Sequence, residues 1–228
     1  PLGKRFWRLS REEQREIGVL FGTEAVRRLA TSLRTRKNNA EIEVLDAAYW
    51  VKGCSSLGRL RFAVLLGVGE DHREEGGLCL MDVKEAVQAA APRAPDAEMP
   101  RDNAERVVTG ARHLAPSLGE RMLPARLLGK AVFIRELLPQ DLKVDIDRLT
   151  RDEAMHAARY LAWVVGTAHA RQMEAGERRR WRREMSRNHS KRLDAPSWLW
   201  SSVVELVASH EAAYLDHCRR YALDPAGT

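Results

Sequence analysis

The chain is short of cysteine, of long apolar runs and of familiar catalytic signatures, and each shortage removes a class of protein. Its three cysteines, Cys54, Cys79 and Cys218, lie far apart with no CxxC pair. They offer neither a disulfide framework nor a zinc site, and they fit a reducing cytoplasm. No apolar stretch approaches the roughly 20 residues of a membrane span. No basic segment followed by an apolar one opens the chain as a secretion signal would. The expectation is a cytoplasmic protein with no membrane partner. No G-x-S-x-G elbow or Walker loop appears. His210 and His217 share a helical segment, but His210-Glu211-Ala212-Ala213-Tyr214 is not H-E-x-x-H, so no metal site is expected. The first residues, Pro1-Leu2-Gly3, carry no initiator Met, which suggests a processed product or a fragment.

What is present is ordinary in bulk. The 228 residues are 44% hydrophobic and 31% charged, which suits a globular protein with one large or two small cores. The net charge of +6 is a mild excess of 38 Lys+Arg over 32 Asp+Glu. Much of it sits in Arg178-Arg179-Arg180-Trp181-Arg182-Arg183. Such a run can grip phosphates and stack on a base. With no second basic-aromatic cluster to extend a groove, a solvated arginine-rich helix or loop with Trp181 packed inward is the better expectation, and nucleic acid a disfavoured partner.

Periodicity divides the chain into a helical segment over 1–40, a mainly strand-forming block over 41–140 and a helical region over 141–228. Ser10-Arg11-Glu12-Glu13 has the form of a capping box and starts a helix with Ile17, Leu20 and Phe21 on one face. A second helix is expected over Glu24–Leu33. Val44–Val51, Leu60–Val68 and Leu78–Lys84 read as strands, with Gly69–Gly77 as an exposed hairpin loop. Three prolines in Pro92–Pro100 make that segment loop. Asp102–Ala115 reads as a helix, Met122–Leu128 and Ala131–Leu138 as a hairpin. A long helix from Thr150 to Arg171 is expected to bury Ala154, Ala158, Leu161, Val165 and Ala168. Arg182–Pro196 reads as irregular and Trp198–Tyr221 as a last helix. The fold class is therefore α+β.

Chemistry concentrates between Gly53 and Leu138. Gly53, Ser55 and Gly58 occupy the three glycine positions of a G-x-G-x-x-G loop, with Ser56 between them. Small residues let such a backbone turn with φ > 0 and present N–H groups to phosphate oxygens. The loop joins two strands, whereas the dinucleotide fingerprint opens a helix, so a dinucleotide fold is disfavoured. Lys84 ends an apolar strand, where a lysine is expensive to bury without an anion; a lysine snorkelling to water is the plain alternative. A glycine loop followed by a strand ending in lysine is how a protein-kinase-like small lobe, an antiparallel sheet plus one helix, holds nucleotide phosphates. In that arrangement Glu105 is the candidate helix partner of Lys84, and Glu136-Leu137-Leu138 the adenine-facing hinge, acting through backbone groups of Glu136 and Leu138. Asp82 shares a strand face with Lys84, where a kinase has a small apolar residue. An acid there pairs with Lys84 or an arginine, or reads a different ligand. His169 and Arg171 end the long helix, but Arg171 stands where H-R-D needs Asp and no D-F-G follows. Their better role is to complement the helix dipole.

Val51–Arg61, Asp82-Val83-Lys84-Glu85-Ala86, Arg106-Val107-Val108-Thr109-Gly110-Ala111-Arg112, Arg135–Asp141 and Ala168-His169-Ala170-Arg171 together resemble signatures of the bacterial domain of unknown function 2252 family, in family order. The resemblance implies a protein-kinase-like fold, with ATP and Mg²⁺ as cofactors and a small-molecule substrate of unknown identity. It places the family's G-D-x-H-x-x-N and D-F-D segments, the metal and catalytic carboxylates, nearer the N-terminus than this lobe. Nothing in Pro1–Asn39 matches either, so the chain resembles the C-terminal half or more of a longer member. The expected function is a nucleotide-binding lobe of a small-molecule phosphotransferase, with catalytic residues unassigned and the isolated chain inactive. The alternative is a non-catalytic ligand- or partner-binding module.

Overall fold

The computed structural model describes residues 4–32, 36–52, 58–70, 77–93, 95–96, 98–137, 148–187, 189–190 and 193–221. They form two compact units, 1–168 and 169–228. In the first, a short strand β1 (Phe6–Trp7) precedes helices α1 (Arg11–Phe21) and α2 (Glu24–Ala30). Strands β2 (Ile42–Trp50), β3 (Arg61–Val68) and β4 (Leu78–Glu85) follow, then helices α3 (Asn103–Leu114) and α4 (Pro116–Gly119), strands β5 (Met122–Leu127) and β6 (Lys130–Leu137), and helix α5 (Arg151–Gln172), whose last residues lie in the second unit. The second unit also contains α6 (Ala175–Met185), β7 (His189–Ser190), β8 (Leu193–Pro196) and α7 (Ser197–Tyr221).

The sheet of the first unit has six strands, all antiparallel, in the order β1-β2-β3-β4-β6-β5. Alternation sorts its side chains between two faces. On one, Phe62, Val64, Leu66 and Val68 of β3 join Cys79, Met81 and Val83 of β4 and Val132 and Ile134 of β6. Ile17 and Phe21 of α1 and Val26, Leu29 and Ala30 of α2 belong to the same cluster. Helix α1 starts where the sequence says: Ser10 Oγ accepts from the Glu13 N–H while Glu13 Oε2 accepts from the Ser10 N–H. Helix α3 lies against β5 and β6 with Ala104 and Val108 buried, and Asp102 caps it by accepting from the N–H groups of Ala104 and Glu105. Gly119 touches α3 so closely that a Cβ there would stand 2.5 Å from the Arg112 backbone. Pro124 sits in β5, an edge strand, where its missing N–H is tolerated.

The expected α+β class, the capping box and the hairpin of β5 and β6 are present. Several local expectations are corrected. The first forty residues include β1, which pairs with the far end of β2; two residues are too few to show a period. Within the segment read as irregular, α6 extends to Met185, and β7 and β8 follow. In α5 only Ala168 of the predicted stripe is buried, while Leu161 and Val165 are exposed. An apolar stripe needs a surface to pack on, and no described element covers those positions.

A buried ion pair crosses the core face. Arg36 donates through NH1 to Glu136 Oε2 at 3.0 Å and through NH2 to Oε1 at 2.7 Å, and also to the carbonyls of Ala30 and Leu78. Both side chains are 5% exposed. Burial, reinforced by the Glu136 carboxylate, pushes the adjacent Cys79 thiol up to about 12. We expect Glu136→Ala to cost about 3–5 kcal/mol in denaturant unfolding, because it strands a buried guanidinium. The folded state keeps the Cys79 proton that an unfolded thiol releases near 9.0. That contribution to stability is therefore intact below about 9 and lost as pH rises toward 12, and Cys79→Ala should flatten the alkaline limb of a stability–pH curve.

Candidate functional site

The opposite face of the sheet carries charge. Strand β3 presents Arg61, Ala63 and Leu65 there, β4 presents Leu78, Leu80, Asp82 and Lys84, and β6 presents Phe133, Arg135 and Leu137. Register arranges these residues in rows across the strands. Leu65, Leu80 and Leu137 form one row; Ala63, Asp82 and Arg135 the next; Arg61, Lys84 and Phe133 the third. Rows on one face are about 7 Å apart along a strand.

Asp82 is the centre of the arrangement. Its side chain is 2% exposed and receives a fork from Arg61, Nε to Oδ1 at 2.9 Å and NH2 to Oδ2 at 2.8 Å. Arg135 approaches the same Oδ2 with Nε at 3.7 Å, too far for a hydrogen bond. Arg61 also lies over the Trp50 ring, 4.6 Å from its centre, and Lys52 lies 4.3 Å from that centre. Phe6 stacks beside Trp50 at 5.9 Å. Of the pairings open to Asp82, the structure has the arginine one. Lys84 is half-buried between Arg61 and Phe133 in register, and its side chain has no hydrogen bond or ion pair among the described residues.

The remaining predicted site residues divide. Gly58 has φ +70°, the left-handed conformation that favours glycine. Gly53, Ser55, Ser56 and Leu138 lie outside the described residues. Glu105 is exposed on α3, and no ion pair joins it to Lys84. The Glu136 carboxylate faces the core and holds Arg36, so only its backbone is turned to other uses. The Ala86 N–H donates to the Ala131 carbonyl at 2.8 Å, which makes Lys84/Phe133, Asp82/Arg135 and Leu80/Leu137 the bonded pairs by alternation. The N–H and C=O of Glu136 therefore turn toward the β5 side, where the first residue of β5, Met122, already pairs with Arg135. Glu85, beside Lys84, accepts from the Leu60 N–H at 2.8 Å and pairs with Lys130 at 3.2 Å. Trp181 is 55% exposed on α6, contrary to the inward packing expected for it, because nothing described lies over that helix face. Among the described residues no three His, Cys, Asp or Glu side chains converge as a metal site.

Arg61 and Arg135 were not among the sequence candidates. The signal was available: an acid inside an apolar strand demands a cation, and antiparallel pairing brings one from each neighbouring strand. Which arginine it takes depends on register, which the sequence does not state.

The fold and this face define an α+β protein with a charged cluster on one side of an antiparallel sheet. The chain belongs to the family DUF2252, described as an uncharacterized protein conserved in bacteria, whose model matches residues 1–220. No curated protein and no solved structure matches it. Among the described residues, no helix is long and apolar enough to cross a membrane.

Asp82→Ala should lower stability by about 3–5 kcal/mol, since it leaves Arg61 buried without its carboxylate. Arg135→Met should change it by less than about 1 kcal/mol, because that side chain makes no hydrogen bond among the described residues. Urea midpoints of the two variants test the contrast.

Proposed function

We propose that this chain is a nucleotide-binding, kinase-like lobe, and that its parent protein transfers a phosphoryl group to a small molecule. The observation that carries the reading is Lys84: a half-buried ammonium with no anion paired to it among the described residues, on the same sheet face as a row of leucines. A half-buried cation gains most from an anion brought by a ligand. The element order along the chain supports the same reading, with the turn at Gly58, strand β3, the lysine strand β4, a helix, a hairpin and a long helix in sequence. In this pose a base lies over Leu65, Leu80 and Leu137, the Glu136 backbone borders it, and phosphates reach Lys84. Glu105 has no part in it.

The residues described here do not fit a magnesium site, since Asp82 is already engaged by two arginines and no acidic cluster stands nearby. The role derived for this chain is to bind and orient: Lys84 attracts the phosphates, and the leucine row excludes water from the base. A second reading, a non-catalytic module that binds a ligand or partner, is favoured by Arg171 standing where a catalytic loop needs Asp.

Calorimetric titration of ATP, with and without Mg²⁺, into the wild type and Lys84→Ala tests the first reading. We expect a binding heat in the wild type that is weakened at least about tenfold in the variant, as for one lost charge-assisted contact. Equal heats, or none, refute the nucleotide assignment. Measurable ATP turnover by the purified chain would refute the non-catalytic module.

A further inference from the structure

We infer that Arg135 is a second phosphate-binding residue of this face, that it meets the phosphate nearest the sugar of a bound nucleotide while Lys84 meets the outer ones, and that Asp82 positions it. The inference rests on the nucleotide reading for its sugar and base, and on the geometry of the charged rows for the rest.

The charge count comes first. In the two rows around Asp82, Arg61, Lys84 and Arg135 supply three cations against one carboxylate, while Asp46 of β2 stands in register with Leu65, two rows from Lys84. The short fork from Arg61 takes both oxygens of Asp82. Arg135 is left 3.7 Å from Oδ2 through Nε alone, with its side chain 28% exposed. Among the described residues its guanidinium makes no hydrogen bond, so its terminal N–H groups are open to an acceptor. The carboxylate is near enough to hold the guanidinium in place electrostatically without consuming its donors.

Geometry then orders the contacts. Lys84 stands opposite Phe133, and Arg135 stands opposite Asp82, so Lys84 and Arg135 are diagonal neighbours whose backbone positions lie about 7–8 Å apart. Two like charges so placed repel, and an anion bridging them relieves the repulsion. One phosphate is too small to reach both without bending the side chains toward each other, whereas consecutive phosphates span the gap. Along β4 the order is leucine row, Asp82 row, Lys84 row, each about 7 Å from the next. A nucleotide with its base on the leucines thus brings its first phosphate to Arg135 and its outer phosphates to Lys84. Arginine suits the inner position because its planar fork takes two oxygens of one phosphate.

The test is a titration series of AMP, ADP, ATP and inorganic tripolyphosphate against the wild type, Arg135→Met, Arg135→Lys and Lys84→Ala, with thermal melting to confirm that each variant folds. Arg135→Met should weaken AMP, ADP and ATP alike, by about tenfold, with partial recovery in Arg135→Lys, which keeps the charge and loses the fork. Lys84→Ala should weaken ADP and ATP and leave AMP nearly unchanged. A folded Arg135→Met that binds every ligand as the wild type does overturns the inference while the nucleotide reading stands. Tripolyphosphate binding that depends on Arg135, with no nucleotide bound, removes the nucleotide reading and keeps Arg135 as an anion contact. Equal losses for AMP in both variants overturn the division of labour between the two residues. Absence of all binding overturns both.

Discussion

A carboxylate buried in the middle of an antiparallel sheet is the constraint around which this protein is arranged. Asp82 stands on a strand whose neighbours at 81 and 83 are core residues, and it is nearly inaccessible to water. An ionised acid in that position is tolerated only with a well-placed cation and satisfied lone pairs. Arg61 provides both through a two-point fork. To do so it must sit in β3 at a fixed register relative to β4, so the pair ties the alignment of the two strands to an electrostatic requirement. A slip of one residue would turn Asp82 into the apolar face and Arg61 away from it.

The two faces of the sheet solve different problems. The face beneath α1 and α2 is closed by apolar packing and by one further ion pair, Arg36 with Glu136. The other face carries leucines, aromatics and, around Asp82, three cations. A half-buried ammonium gains from a nearby anion, and among the described residues Lys84 has none paired to it. The same physics limits what the surface does alone. Its one central carboxylate is already committed to arginines, which leaves no general base among these residues at that point.

Much of this was legible in the sequence, and for local reasons. The capping box at Ser10, the helix starting after Asp102 and the hairpin turning at Gly129 depend on neighbours a few residues apart, and each is where the pattern puts it. The strands β3 and β4 announce themselves through continuous apolar runs. Long-range facts were not legible. That Asp82 chooses Arg61, that Glu136 turns its carboxylate toward Arg36, one hundred residues away, and that Glu105 stands apart from Lys84 all follow from register and helix placement. The exposed apolar residues of α5 and α7 show the reverse limit. Periodicity says that a helix has an apolar side and does not say what, among the described residues, packs on it.

Adjacent residues on β6 point through opposite faces of the sheet: Arg135 to the charged side, Glu136 to the core. Because the two share a peptide unit, the Arg36 fork that fixes Glu136 from behind also fixes the backbone from which Arg135 projects. The sheet thus works as a through-wall mount, with a bolt on the inside setting the aim of a guanidinium on the outside. Sequence change at Arg36, far along the chain and on the opposite face, would then be felt as a change in where that guanidinium points.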